Sequence, residues 1–226
     1  MTHLLDRPAW SALTGPHADL ADGGALARRY RPGTVPFAAA RDSSIESLAA
    51  LAALPQPGEV MALVEADAPK LPPGMVGVKT GSVVQFALAK VPEASLDERI
   101  EPLDWGDAEE MLALATLTQP GPFTLKAQAL GQFYGIRLDG RLVAMAGHRM
   151  KQEGYSELSG VCTHPDSRGR GLGRILSVFV TQQILATGAT PYLHAWEENT
   201  TAIRLYESIG YTLRSKLHFL AIARAD

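Results

Sequence analysis

The order of predicted elements puts the chain in the α/β class, as a mixed β-sheet flanked by helices. Three observations carry that reading. Residues 132–138 and 141–150 read as strands joined by Asp139-Gly140, a two-residue hairpin signal. Residues 172–186 place Leu172, Ile175, Leu176, Phe179, Val180 and Ile184 on one helical stripe. From residue 107 to residue 223, strands and helices interleave instead of forming separate blocks.

Taken in order, residues 45–54 form a short Ala/Leu-rich helix, with Ser43 and Ser44 as caps and Pro55 as its stop. Residues 60–65 read as a strand. Residues 75–78 and 82–88 read as paired strands joined at Lys79-Thr80-Gly81. The polar stretch 92–102 is a linker or a boundary strand. A helix over 107–116 leads into the hairpin, and residues 155–163 continue as a third strand. After the helix at 172–186 come a short strand at 191–196 and a helix at 199–209. Gly210 closes that helix at the left-handed cap position. Residues 211–223 read as two final strands.

The chain has 226 residues, 46% hydrophobic and 20% charged, a composition that can bury a core. Its 21 Lys+Arg against 24 Asp+Glu give a net charge of −3, which excludes a broad basic surface for nucleic acid. The 8 basic and 11 acidic residues of positions 1–98 hold that whole excess. One cysteine, Cys162, excludes an internal disulfide. The first residues lack the apolar run of a signal peptide. The longest uncharged stretch, residues 175–196, contains Gln182, Gln183, Gly188, Pro191 and His194, so no spanning helix is expected. The expected location is the cytoplasm. The six histidines are scattered along the chain, so no metal site is expected.

The segment Arg168-Gly169-Arg170-Gly171-Leu172-Gly173 follows a strand and opens a helix. Glycines there let backbone N–H groups turn toward one point, and the helix N-terminus adds partial positive charge. Arg168, Arg170 and Arg174 add mobile cations. Together they suit the oxygens of a pyrophosphate. The spacing fails the dinucleotide fingerprint, whose third glycine would fall at Arg174, and it lacks the Gly-Lys-Ser/Thr ending of the nucleoside-triphosphate loop.

The run Val161-Cys162-Thr163-His164-Pro165-Asp166-Ser167-Arg168-Gly169-Arg170-Gly171-Leu172-Gly173, followed by Asn199-x-x-Ala202-x-x-x-Tyr206-x-x-x-Gly210-Tyr211, resembles the GNAT superfamily of acetyl-CoA-dependent N-acetyltransferases. The resemblance covers about residues 99–226. Within the superfamily, Gly160-Val161-Cys162-Thr163-His164-Pro165 looks most like the glycine N-acyltransferase-like branch. It implies a GNAT-like sheet over residues 96–226. By strand content, residues 1–95 are expected to be a degenerate half of the same fold that shapes the acceptor site.

The resemblance also implies roles. Val161, Cys162 and Thr163 would hold the pantetheine arm of acetyl-CoA through their backbone. Arg168, Gly169, Arg170, Gly171, Leu172, Gly173 and Arg174 would hold the pyrophosphate. Asn199 would lie near the pantetheine, with Ala202 leaving room for it; Asn199 also suits a helix N-cap. Tyr206 would protonate the departing thiolate, the alternative being an aromatic packed in the core. Glu157 would take the proton of the amine, with His148 or a water relay as alternatives. By alternation, Tyr155, Glu157, Ser159, Val161 and Thr163 share a face unless a bulge intervenes. The Cys162 thiol reads as a buried strand residue and not a nucleophile. The expected partner is a small-molecule or peptide amine, and a homodimer is the family expectation. A CoA-binding sensor without turnover is the rival reading.

Overall fold

A computed structural model describes residues 3–94 and 97–225. The first part opens with helix α1 (Pro8–Leu13), then a small antiparallel meander of β1 (Ala21–Gly23), β2 (Ala27–Tyr30) and β3 (Ala38–Ala40). Helix α2 (Ile45–Ala52) follows, and the Ser44 side chain accepts from the Ser47 N–H at its start.

The remaining elements build one eight-stranded sheet and its helices. They are β4 (Met61–Glu65), β5 (Met75–Leu88), β6 (Ile100–Leu103), α3 (Ala108–Thr118), β7 (Phe133–Leu138), β8 (Arg141–Gln152), β9 (Tyr155–Thr163), α4 (Leu172–Ala186), β10 (Thr190–Trp196), α5 (Thr200–Ser208) and β11 (Tyr211–Arg224). The strand order is β4-β11-β5-β10-β9-β8-β7-β6. Among these neighbours β9 and β10 run parallel and the other pairs run antiparallel. The hairpin between β7 and β8 turns at Asp139 (φ 52°) and Gly140 (φ 79°), the two left-handed residues a type I′ turn requires.

Two sequence expectations change. Residues 75–88 form one strand, not a hairpin: Lys79, Thr80 and Gly81 pair in register with Ala221, Leu220 and Phe219. The glycine serves a close approach instead of a turn, because a Cβ on Gly81 would lie 2.8 Å from the Trp196 ring. Residues 211–224 likewise form one strand, with a register shift between Leu213 and Ser215 in place of a turn. The division expected between residues 95 and 96 lies outside the described residues. On its two sides, β4 and β5 pair with β10 and β11 in the same sheet.

The sheet is covered on both faces. Leu176, Val180 and Ile184 of α4 pack with Val84, Phe86, Leu158 and Leu193. On the other face, α1 packs through Ala9, Ala12 and Leu13 with Val83, Met150 and Leu217. Beside it, Met111, Leu114 and Ala115 of α3 meet Phe133, Leu142 and Met145. Adjacent Val83 and Val84 thus serve opposite faces, as strand alternation demands. Among the described residues, no helix is long and apolar enough to cross a membrane, and no group of three His, Cys, Asp or Glu side chains is placed to hold a metal.

Candidate active site

The central parallel pair comes apart. Pairing joins Tyr155, Ser156 and Glu157 of β9 to Thr190, Pro191 and Tyr192 of β10 and stops there. Beyond it β9 runs on to Thr163 and β10 to Trp196, so a gap opens inside the sheet. Backbone groups of β9 that face the gap have no partner strand.

A bulge on the opposite side of β9 re-aims its side chains. Gly147 pairs with Ser159 and Met145 with Cys162, so two residues, Gly160 and Val161, oppose Ala146 alone. Gly160 adopts φ 64°, and a Cβ there would come within 2.7 Å of the Phe133 ring. The bulge breaks the expected alternation. Leu158 and Val161, three residues apart, both pack on the α4 face, while Cys162 packs toward α3. Glu157 and Val161 therefore point to opposite faces of the sheet.

One side of the gap opens onto a groove of about 1380 Å³, counting its open side. Every expected cofactor residue except Arg170 lines it: Val161, Cys162 and Thr163, then Arg168, Gly169, Gly171, Leu172, Gly173 and Arg174, with Asn199 and Ala202 opposite. Arg170 is exposed beside the groove and is not part of its lining. The loop's shape has local causes. The His164 ring accepts from the Asp166 N–H at 3.2 Å, Ser167 is buried, and buried Leu172 pins the start of α4. Between these anchors Gly169 (φ 77°) and Gly171 (φ 73°) take left-handed conformations. No side chain caps α4, so the amides of its first turn are free for an anion and carry the positive end of the helix dipole. Asn199 does cap α5, its Oδ1 accepting from the Ala202 N–H at 3.1 Å. Burial pushes the Cys162 thiol up to about 11, away from the thiolate a nucleophile needs.

The other side of the gap opens onto a cleft of about 820 Å³, counting its mouth. Phe37, Val64 and Val83 enter it from the first part of the chain, and Met150, Trp196 and Phe219 from the second. A parallel bridge between Phe37 and Ala62 seats Phe37 beside β4. Cleft and groove share Val161, Asn199, Ala202 and Tyr206, with Gln119 and Pro120 beside them, so they meet where β9 and β10 separate.

A buried polar chain runs behind the cleft. Glu157 is 0% exposed. Its carboxylate accepts from Arg149 Nε (2.9 Å) and Nη2 (2.5 Å), from the Met150 N–H (3.2 Å) and from His194 Nδ1 (2.7 Å). Burial alone would raise the Glu157 pKa. The Arg149 guanidinium and, after it, His194 overcome that and hold the carboxyl at about 2. His194 Nε2 faces the Gln85 amide nitrogen at 2.9 Å. The Gln85 amide orientation is fixed, because its oxygen accepts from Arg214 at 2.7 Å and its nitrogen also donates to the Leu5 carbonyl at 2.9 Å. The bonding therefore assigns His194 the Nδ1–H tautomer, with both ring nitrogens engaged. Arg214, the residue skipped at the β11 register shift, ends the chain on Asp6 at 2.6 Å.

These positions bear on the expected acid and base. Tyr206 is 7% exposed and lines both cleft and groove. Burial raises its pKa, so the phenol keeps its proton at any physiological pH. Glu157 lies behind Arg149 and His194 and does not line the cleft. A carboxylate held that low with four donors on it is poorly suited to take a proton from an ammonium. His148 is also absent from the cleft wall. Its Nδ1 lies 3.3 Å from the Ser156 hydroxyl, and burial, then the Lys151 charge, lower its pKa to about 4. Sequence reasoning missed Phe37, Arg149, His194, Trp196 and Phe219. It also missed Gln119, a non-glycine residue at φ 50° that closes α3 and lines both cavities. The positive φ of Gln119 has no sequence signal, and the others are scattered through the chain.

A splayed mixed sheet with a glycine loop and an uncapped helix at the split defines an acyltransferase-type site. Comparison with known proteins gives the family. A family model described as FR47-like protein matches residues 133–220. A solved structure named for the GNAT acetyltransferases, from Novosphingobium aromaticivorans, is 38% identical with a TM-score of 0.93, over 100% of both chains. A GCN5-related N-acetyltransferase from Kribbella flavida shares the fold at 21% identity and a TM-score of 0.63, over 96% of this chain and 94% of that one. A mycothiol acetyltransferase from Thermomonospora curvata is 33% identical over 75 residues, which is 33% of this chain and 25% of that protein. The chain belongs to the GNAT family of acetyltransferases.

Proposed function

We propose that the protein transfers an acetyl group from acetyl-CoA to a primary amine by direct attack on the thioester. One observation carries this reading: the groove and the cleft are two cavities that meet beside Val161, Asn199, Ala202 and Tyr206, with Gln119 and Pro120 at their edge, at the split between β9 and β10. Two substrates entering from opposite sides would be brought together there. The uncapped first turn of α4 and the left-handed glycines suit the pyrophosphate, and the unpartnered backbone of β9 suits the pantetheine amides.

Bound there, acetyl-CoA supplies the activated carbonyl. Unpartnered N–H groups near Val161 polarise the carbonyl oxygen. Tyr206 donates a hydrogen bond to the sulfur as the C–S bond breaks. Complete transfer of its proton would leave a buried phenolate, so the hydrogen bond itself is the contribution. The ammonium proton leaves through water in the open cleft. Glu157 acts by holding Arg149 and His194 in place.

Residues 1–95 supply Phe37, Val64 and Val83 to the acceptor cleft and none of the groove lining, which supports their role in shaping the acceptor site. The 96–226 half carries the whole groove. Placement in the glycine N-acyltransferase-like branch rests on residues 160–165 alone. A homodimer stays a family expectation, and transfer does not require one, since both cavities lie in a single chain. The rival, a CoA sensor without turnover, needs no second cavity at the thioester. Release of free thiol from acetyl-CoA across a panel of amines tests the reading. Tight CoA binding with no thiol release from any amine would decide for the sensor.

A further inference from the structure

The acceptor cleft has a chemistry of its own. Besides Tyr206 at the junction, three aromatic rings wall it. Trp196 and Phe219 meet edge to face at 4.9 Å, and Phe37 stands beneath the Arg149 guanidinium at 5.0 Å. Gly81 makes room for the indole, as described above. Val64 and Val83 complete an apolar floor. Among the cleft-lining residues the only formally charged side chain is Arg149, and Glu157 behind it balances that charge. His194 is held in its neutral tautomer. No Asp or Glu lines the cleft.

The approach to the cleft has the same sign. An outer vestibule shares Gln119, Trp196 and Phe219 with the cleft, and its one charged residue is Lys79. Lys79 is exposed, with its Nζ 4.6 Å from the Trp196 ring centroid. A ligand with a second ammonium would therefore bring it past Lys79 into a space with no carboxylate to receive it. The negative excess of residues 1–98 is elsewhere on the surface and does not reach this wall.

We infer that the acceptor is a primary monoamine carried on an aromatic body, and not a polyamine or lysine-like diamine. The inference rests on the acetyl-transfer reading for the amine end. The ring seats between Trp196 and Phe37, and the nitrogen points to the junction at Tyr206. Stacking on aromatic walls and release of water from apolar surface favour such a body.

Binding tests this apart from turnover. The CoA-saturated protein is titrated by calorimetry with phenethylamine, cadaverine and ethanolamine. Phenethylamine should bind at least about tenfold tighter than either competitor. Equal or tighter binding of cadaverine would overturn the inference. Lys79→Glu, at an exposed strand position, should narrow the phenethylamine-to-cadaverine ratio by roughly threefold or more. An unchanged ratio would remove Lys79 from the selection. Trp196→Phe should keep most of the preference and Trp196→Ala should lose it, and a preference surviving in Trp196→Ala would contradict the aromatic seat. Thiol release is then measured with the same amines. Selective binding without any thiol release would sink the transfer reading while leaving the ligand class in place. Thiol release led by cadaverine would do the reverse.

Discussion

Glu157 Oε1, on the last paired residue of β9, and His194 Nδ1, two residues past its partner Tyr192 on β10, meet at 2.7 Å. The contact ties the two strands together at the point where they separate. With Arg149 clamped on the same carboxylate, it braces the apex of the gap and does not reach into it. The four predictions below follow from this arrangement and from the groove beside it.

Glu157→Gln should act first on stability. It leaves the Arg149 guanidinium, whose side chain is 11% exposed, without its counter-charge. Breaking a buried pair from one side costs about 3 kcal/mol or more, or roughly 6–12 °C in Tm for a chain of this size. A base role predicts another pattern: an unchanged Tm and a rate that recovers at high pH. Thermal denaturation together with a pH–rate profile separates the two.

Acid should destabilise the protein before its carboxylates titrate. His17 and His148 are both held at about 4 in the folded chain, chiefly by burial and then by Lys151, against about 6.5 when unfolded. Between those values the unfolded state binds more protons, so stability is full above pH 6.5 and falls as pH drops toward 4. Each histidine should cost about 2 kcal/mol by pH 4.5. Urea midpoints measured from pH 7 to pH 4.5 should slope downward, and His148→Gln should remove about half of that slope. A flat profile for the unmodified protein would contradict the burial of both rings.

Tyr206→Phe should lower kcat by roughly 100-fold, the lower end of general-acid contributions, with acetyl-CoA affinity nearly unchanged. The loss falls on kcat because the hydrogen bond forms as sulfur gains charge. If Tyr206 served only to pack against Tyr211, its edge-to-face neighbour at 6.2 Å, Phe would fill the same space and kcat would stay within about twofold.

Gly171→Asp should weaken CoA binding by at least about tenfold, because a carboxylate would stand at the positive end of α4. A Cβ at Gly171 meets no atom within 4 Å, so the effect on the fold should be confined to the strain of a left-handed residue. Calorimetric CoA affinity and Tm, measured on the same sample, check both halves.

Much of the second half of the chain was legible in its sequence. The Asp139-Gly140 turn, the span of β9 and the span of α4 match their local signals, since caps, turns and helical stripes are short-range chemistry. The groove was legible for the same reason: nearly all of its wall comes from two contiguous runs and one helix. What escaped was non-local. Gly81 reads as a turn until Trp196, 115 positions later, is seen to lie against it. Gly160 reads as an ordinary strand glycine, yet its bulge decides which way Glu157 and Val161 face. The acceptor cleft joins Phe37 to Phe219 through tertiary packing, and no spacing in the sequence records that.

The placement of β5 between β11 and β10 also sets a timetable for assembly. Met75 pairs with Arg224 and Leu88 with Tyr211, so both edges of β5 wait for strands made more than 100 residues later. A local hairpin closes in about 1–10 μs. Synthesis at roughly 5–20 residues per second instead leaves β5 unpaired for about 6–25 s. Val83, Val84 and Phe86, all buried in the finished protein, are open to the wrong partners in that interval. The acceptor cleft, whose walls include Val83, Trp196 and Phe219, is therefore among the last features of the molecule to exist.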